Sequence, residues 1–192
     1  MNRNLLSIPA ASLLLFVGCG EAPPAGHEGM MSEYNAMKAA DSTEKANAAA
    51  CIGCFEKVFA MMSSGDVTGI EECISENMVE HAAPPPGITT TGLQGLKDII
   101  AWQHGVFPDL KLTILHSAVV GDLAYVHYNQ KGTNTGPMGP DMPATGKAID
   151  MNGVDIVRFE NGKAVEHWGY WDETKMMQQL GLAPAPGAPP AQ

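Results

Sequence analysis

The feature that most limits the possible folds is a change in the spacing of apolar residues near Pro108. Before it, apolar side chains recur at helical spacing, first in Cys54, Val58, Met61 and Met62 and again in Leu93, Leu96, Ile99 and Ile100. After it, apolar and polar residues alternate, and Gly121-Asp122 and Asn161-Gly162 favour tight hairpin turns. Helices followed by hairpin strands predict an α+β fold, with a curved antiparallel sheet around three N-terminal helices.

The individual elements follow from the same spacing. We predict helices over residues 42–62, 67–74 and 93–107, with a short segment at Met78-Val79 after the second helix. Strands are predicted over residues 110–120, 123–133, 148–159 and 164–171, with a loop rich in Gly and Pro at residues 134–146. Asp172 is a candidate cap for a last short helix that ends near Gly181.

The N-terminus is typical of an export signal. Arg3 precedes a mostly apolar stretch, residues 5–17, that is too short to span a bilayer. The following Phe16-Val17-Gly18-Cys19 resembles a bacterial lipoprotein signal, in which the cysteine is lipidated. The alternative is a plain secretory signal with an incidental cysteine. Because Gly20 rather than Asp follows Cys19, the resemblance implies a lipid-anchored protein of the cell envelope, on the outer membrane facing the periplasm.

These patterns divide the chain into four parts. Residues 1–18 are the predicted signal peptide, and residues 19–42, which contain Pro and Gly but no sustained periodicity, are a predicted flexible tether. Residues 43–182 are the predicted folded domain. Residues 183–192 are rich in Pro and Ala and are predicted to be disordered.

The charge of the chain excludes one class of partner. Eleven Lys and Arg residues stand against 21 Asp and Glu residues, a net charge of −10, and the basic residues form no run. Nucleic acid is therefore not an expected partner. Membrane attachment is expected to depend on acyl chains alone, because an acidic surface is not attracted to anionic lipid.

Three cysteines remain after Cys19. Cys51 and Cys54 have the spacing of a redox C-x-x-C motif but lie inside a predicted helix, without the strand that normally precedes that motif. We expect buried helical cysteines, with at most one disulfide, from Cys51 or Cys54 to Cys73.

Four strings in the predicted domain, taken in order and spacing, resemble one known family. They are Phe107-Pro108-Asp109-Leu110, Gly132-Thr133-Asn134-Thr135-Gly136, Pro143-Ala144-Thr145-Gly146-Lys147 and Asn161-Gly162-Lys163-Ala164-Val165-Glu166-His167-Trp168. Their order is similar to that of the polyketide-cyclase-like (SnoaL-like, ester cyclase) group of the NTF2-like superfamily, whose fold is a cone-shaped α+β barrel.

The resemblance implies an enzyme that closes a ring in a small hydrophobic substrate by an intramolecular aldol step, with no metal or organic cofactor. In that family a carboxylate two residues after the His of the final strand removes a proton next to a carbonyl. Here that position is Gly169. The family's general acid/base is therefore missing from its usual place.

Asp155 and His167 are the candidate catalytic pair. Alternation places Met151, Gly153, Asp155 and Val157 on one face of their strand. A two-residue turn at Asn161-Gly162 would set Asp155 opposite Trp168, and a three-residue turn with a bulge at Gly162 would set it opposite His167. We favour the second alternative. An Asp beside a His in an apolar cone is a plausible acid/base unit, or otherwise a buried ion pair without a catalytic role.

Further residues are candidates for the substrate cavity: Glu80, His81, Trp102, His104, Met151 and Gly169, the last by enlarging the cone. His81 could instead lie on an exposed loop edge, and Trp102 in the core. No pair of histidines has a metal-ligand spacing, so no metal site is expected. Three functions stay open: a cyclase-like or isomerase-like enzyme, a binding domain for a small hydrophobic molecule, and an interaction module that forms a homodimer through the sheet.

Overall fold

The computed structural model describes residues 25–184, and the chain separates into two units, residues 1–40 and 41–192. The predicted signal peptide, Cys19 and residues 185–192 lie outside the described residues. Helix α1, Ala25–Ser64, runs through the boundary between the units. In the first unit its described side chains, from residue 28 onward, are all exposed.

Helix α1 begins earlier than the sequence predicts, because residues 25–42 are helical rather than irregular. Apolar residues at helical spacing indicate that one face of a helix is buried, and a helix without a buried face lacks this pattern. After Pro24 the segment contains four Ala and three Met, which favour helix even where no face is buried. Its role as a tether remains a prediction.

The second unit is built on one mixed, five-stranded sheet in the order β1-β5-β4-β3-β2. The elements that follow α1 are a 3₁₀ turn at Ile70–Glu72, β1 at Ile74–Glu80, α2 at Gly92–Val106, β2 at Lys111–Val120, β3 at Leu123–Thr133, β4 at Ala148–Glu160, β5 at Lys163–Trp171 and α3 at Glu173–Leu180. Strand β1 pairs in parallel with β5, and the other neighbours are antiparallel. The predicted α+β fold with a curved sheet is confirmed, and the parallel β1 makes that sheet mixed.

The second of the three predicted N-terminal helices is wrong. Residues 67–74 contain only the single 3₁₀ turn, because Gly69 has φ 80 and this left-handed conformation interrupts a helix. From Ile74 the chain is extended and pairs with β5. The segment that the sequence marks only at Met78-Val79 is thus a full strand.

The core lies between the C-terminal half of α1 and the inner face of the sheet. Phe59 of α1 meets Tyr128 of β3 edge to face, with 5.2 Å between ring centroids, and Phe55 packs against Phe159 of β4. A second apolar cluster, which includes Met151 and Leu180, joins β4 to α3. These two clusters fix β4 from both ends, so its inward side chains are held in place.

The β4–β5 hairpin has a register that neither predicted alternative describes. Asn161 and Gly162 both have positive φ, 50 and 78, which is the two-residue turn that such dipeptides favour. A bulge beyond Phe159 and Ala164 then adds one residue to β5. As a result Asp155 faces Gly169, and His167 faces Val157.

Candidate active site

Asp155 and His167 line two cavities on the inner side of the sheet. The larger cavity has a volume of about 420 Å³ and the smaller one about 70 Å³. The larger cavity is mostly apolar, with walls from α1, α2, α3, the sheet and the proline run at residues 84–86. Asp155 is only 8% exposed. The two predicted catalytic residues therefore lie where an apolar ligand could reach them.

A chain of polar contacts crosses three strands at this point. Glu80 Oε2 lies 2.6 Å from His167 Nδ1, and His167 Nε2 lies 3.4 Å from Asp155 Oδ1. The other oxygen of Glu80 accepts a hydrogen bond from the backbone N–H of Ala82, at 2.8 Å. The imidazole is thus held between two carboxylates, one of which is anchored to the backbone.

The sheet topology explains why these residues meet. Glu80 is the last residue of β1 and pairs with His167 across the parallel β1–β5 contact. Asp155 lies diagonal to His167 on the neighbouring strand, since its direct partner is Gly169. Diagonal side chains on one face of a sheet are within reach of each other when one of them is long.

Tyr128 completes the chain of contacts, although it was not among the site residues predicted from the sequence. Its hydroxyl donates a hydrogen bond to Asp155. Burial, and then the negative charge of Asp155, raise the pKa of Tyr128 far above its usual range, so it stays a neutral donor. Tyr128 faces Gly153 across the β3–β4 pair, and a Cβ at Gly153 would come within 2.5 Å of the tyrosine hydroxyl. The inward glycine two residues before Asp155 was the available signal.

The electrostatics of the pair make His167 a cation at neutral pH. Burial alone would lower the pKa of His167, but its contacts with Asp155 and Glu80 outweigh burial and raise that pKa to about 10. His167 is 22% exposed and Glu80 19% exposed at the side chain, so solvent screens these contacts only partly. The arrangement offers a buried carboxylate for proton transfer beside a fixed positive charge that can stabilise an oxyanion.

Gly169 lies directly against this pair. A Cβ built on it would be 2.9 Å from Trp171 Cζ3, 3.2 Å from His167 Cε1 and 3.5 Å from Asp155 Oδ1. The space that the missing side chain leaves is therefore bounded by the Trp171 ring, and the carboxylate of Asp155 reaches the same spot from β4.

The structure brings only some of the other predicted cavity residues to the larger cavity. Glu80 and Trp102 line it. The ring of His81 instead stacks on Trp168, with 4.5 Å between centroids. His104 packs beneath Gly65, and its buried Nδ1 has no hydrogen-bond partner among the described residues. Met151 is buried in the second apolar cluster.

The cysteines are placed as structural residues. Cys54 forms a disulfide with Cys73, which ties α1 to the start of β1, while Cys51 is a buried free thiol. Burial raises the pKa of the Cys51 thiol, which disfavours the reactive thiolate.

Residues 25–184 contain neither a metal-binding cluster nor a membrane-spanning helix. No three His, Cys, Asp or Glu side chains in this part of the chain are grouped so that they could hold a metal ion. None of its helices is long and apolar enough to cross a membrane.

Comparison with known proteins agrees with this fold. The family model described as SnoaL-like polyketide cyclase matches residues 51–180. The chain belongs to this family. None of the curated protein sequences compared with the chain matches it significantly.

Several solved structures are similar to this member of the SnoaL-like family. TsrD from Streptomyces laurentii is 25% identical, over 70% of this chain and 97% of that one, with a TM-score of 0.63. A candidate polyketide cyclase from Bacillus cereus is 27% identical, over 69% and 81% of the two chains, with a TM-score of 0.57. IdmH from Streptomyces antibioticus, at 24% identity, covers 68% of this chain and 98% of its own, with a TM-score of 0.58, and supports the fold.

Proposed function

We propose that this protein is a cyclase-like or isomerase-like enzyme that transfers a proton next to a carbonyl of a small hydrophobic, polyketide-like substrate, without a cofactor. The observation that carries the proposal is the chain of contacts from Glu80 through His167 to Asp155, in the wall of a cavity of about 420 Å³. Family membership supports the reaction class, and the chain's own residues supply the roles.

In the proposed reaction Asp155 accepts the proton from the carbon next to the carbonyl. The electron pair of the broken C–H bond moves to the carbonyl oxygen and forms an enolate. In a cyclase the enolate carbon then attacks a second carbonyl of the same molecule, a C–C bond forms, and the resulting alkoxide takes a proton from the Asp155 carboxyl group. In an isomerase the same proton returns to a different carbon. Both sequences regenerate the carboxylate.

The neighbours of Asp155 have positioning and electrostatic roles in this proposal. The imidazolium of His167 stabilises the enolate charge from a fixed position, because Glu80 holds its other nitrogen. Tyr128 orients the Asp155 carboxylate by its hydrogen bond. The contacts with Asp155 and Glu80 raise the pKa of His167, so it enters the reaction as an imidazolium.

The absence of a carboxylate at position 169 is compatible with this proposal. The Asp155 carboxylate lies 3.5 Å from the place where a side chain at Gly169 would begin. The chain thus supplies an acid/base group to the same spot from the neighbouring strand. We propose that Asp155 replaces the family's carboxylate.

A binding domain that has lost catalysis is the second candidate. The mostly apolar lining of the larger cavity favours it, because such a lining retains a hydrophobic molecule whether or not it reacts. Native mass spectrometry of the protein purified from its own host would identify the retained ligand. An enzyme converts that ligand and loses conversion in Asp155→Asn, with little change in affinity. If the protein is only a binding domain, neither the wild type nor Asp155→Asn converts the ligand.

The location and assembly of the protein belong to the same proposal. We propose that Cys19 is lipidated and anchors the protein to the outer membrane, facing the periplasm. A homodimer through the outer face of the sheet is proposed from the apolar side chains exposed there, which include Tyr125, Val154 and Tyr170. Size-exclusion chromatography with light scattering would test it: Val154→Glu should give a monomer, and an unchanged mass would reject this interface.

A further inference from the structure

The larger cavity has an unequal distribution of charge. Three acidic side chains line it, Glu80, Asp155 and Glu173. His167 is the single basic side chain in that lining among the described residues, and Glu80 and Asp155 already contact it from both sides. With the carboxylates ionised, the lining therefore carries a net negative charge.

The Lys and Arg side chains of residues 25–184 all lie outside this lining. Two of them that lie in strands of the site are paired elsewhere. Arg158 bonds Glu166 at 2.8 Å, and Lys131 lies 2.9 Å from Asp150. An acidic ligand in the cavity would thus meet no Lys or Arg side chain, and the excess of carboxylates over the single imidazolium of His167 would disfavour it.

Aromatic rings add a second attraction for a positive charge. Trp102, Phe107, Tyr128 and Trp171 line the cavity. Trp171 lies close to Asp155, since both approach the same point beside Gly169. The face of an aromatic ring near a carboxylate, in an apolar wall, is a favourable environment for an organic cation.

We propose that the ligand of this cavity is a lipophilic cation, such as a hydrophobic amine, and that the cavity rejects carboxylic acids of the same shape. This inference rests on the proposed function in one respect, that the cavity beside Asp155 holds the ligand. It adds the chemical class of the ligand, which has an apolar body and a basic group near Glu173.

Three naphthalene probes of one shape test the proposal: naphthalenemethylamine, naphthalenemethanol and naphthoate. Their affinities for the full chain are measured by calorimetry at neutral pH and low salt. We expect the amine to bind at least about 10-fold more tightly than the acid, with the alcohol between them, and the difference to shrink as salt is added. The proposal is overturned if the acid or the alcohol binds as tightly as the amine, or if none of the probes binds.

Glu173→Gln locates the charge effect, because this exposed side chain can be changed without disturbing the core. Its matched control is Glu71→Gln, an exposed residue outside the cavity that gives the same change in net charge. We expect Glu173→Gln to weaken binding of the amine by about 3- to 10-fold and to leave the alcohol unchanged, while Glu71→Gln changes neither. Equal effects of the two variants would show that only overall charge matters and would overturn the assignment.

The outcomes of these experiments distinguish a wrong ligand class from a wrong catalytic proposal. Selective binding of the amine with no reaction of any carbonyl substrate supports the ligand class and rejects the enzyme. Turnover that depends on Asp155 but occurs on an acidic substrate supports the enzyme and rejects the ligand class.

Discussion

At the scale of single residues, the two carboxylates beside His167 stabilise its charged form, and the stability of the fold therefore depends on pH. Its contacts raise its pKa from the ordinary 6.5 to about 10 in the folded protein. Protonated His167 therefore contributes its full stabilisation of the fold below pH 6.5, and this contribution is lost as the pH rises toward 10. We expect the free energy of unfolding to decrease by about 2 kcal/mol between pH 6.5 and 8.5, as measured by urea denaturation.

This pH range isolates His167 from the other shifted groups. The buried thiol of Cys51 and the phenol of Tyr128, whose pKa values are raised, affect stability mainly above about pH 8.5, where the same groups titrate in the unfolded chain. His167→Gln should remove most of the decrease, whereas His127→Gln on the outer face of the sheet should keep it. A decrease that persists in His167→Gln would mean that the imidazole is not held as a cation.

Gly169 allows a second test at this scale. Gly169→Asp would place a second carboxylate beside Asp155 and crowd Trp171. We expect it to destabilise the protein by about 1–3 kcal/mol, because a partly buried charge then lacks a partner. In the Asp155→Asn background the cost should be smaller, since the repulsion is gone. Urea denaturation of the two single variants and the double variant measures this coupling, and additive costs would show that the two positions do not interact.

The sequence could predict half of the polar chain. Asp155 and His167 are found by strand alternation, because both lie on inward positions of well-defined hairpin strands. The contact of His167 with Glu80 joins residues 87 positions apart, and no local pattern reports it. From the sequence, Tyr128 cannot be distinguished from an ordinary core residue, because its position beside Asp155 depends on the register of β3 against β4.

At the scale of elements, the disulfide between Cys54 and Cys73 fixes α1 to the sheet over a separation of 19 residues. A crosslink of this length restricts the unfolded chain and is expected to contribute about 3 kcal/mol. Cys54→Ser should therefore lower the free energy of unfolding by about that amount.

The control for this prediction is wild-type protein with its disulfide reduced, which should match Cys54→Ser under the same conditions. Cys51→Ala, which leaves the disulfide in place, should cost less and respond to reductant like the wild type. If Cys54→Ser and wild type are equally stable without reductant, the two sulfurs are not joined in solution.

Hairpins were the elements that the sequence predicted best, because turn residues and alternation act over a few residues. Strands β2 and β3 agree with prediction. The chain also turns at Asn161-Gly162 as predicted, but through a two-residue turn and not the favoured three-residue one. The bulge in β5 could not be predicted, because the residues before it and after it both show the ordinary alternation of a strand. Strand β1 was missed because its partner, β5, follows it by more than 80 residues and supplies the hydrogen bonds that keep it extended.

At the scale of the whole molecule, the proposed attachment to the membrane depends on one residue. Cys19→Ala should release the protein into the soluble fraction or leave its precursor uncleaved, because no other acyl site is expected and the chain is acidic. Fractionation of the native host, with Cys51→Ala as control, measures this. An unchanged membrane fraction for Cys19→Ala would contradict the anchor.

The overall α+β architecture was predictable because the change of hydrophobic period covers most of the chain. The start of α1 was not, since an exposed helix leaves no apolar stripe. The activity is the least predictable property, because the position expected to hold the family's carboxylate is Gly169. Asp155, the proposed replacement, is recognised only from the register of β4 against β5.

The most direct test of the account is proton exchange next to a carbonyl, because it requires no knowledge of the natural substrate. β-Tetralone is incubated in D₂O, and the loss of its α-proton signals is followed by NMR with wild type, Asp155→Asn and the control Glu71→Gln. We predict that wild type and Glu71→Gln accelerate exchange over buffer and that Asp155→Asn is slower by about 10²–10⁴-fold. Exchange with Asp155→Asn that matches wild type, or wild type no faster than buffer, would contradict Asp155 as the base.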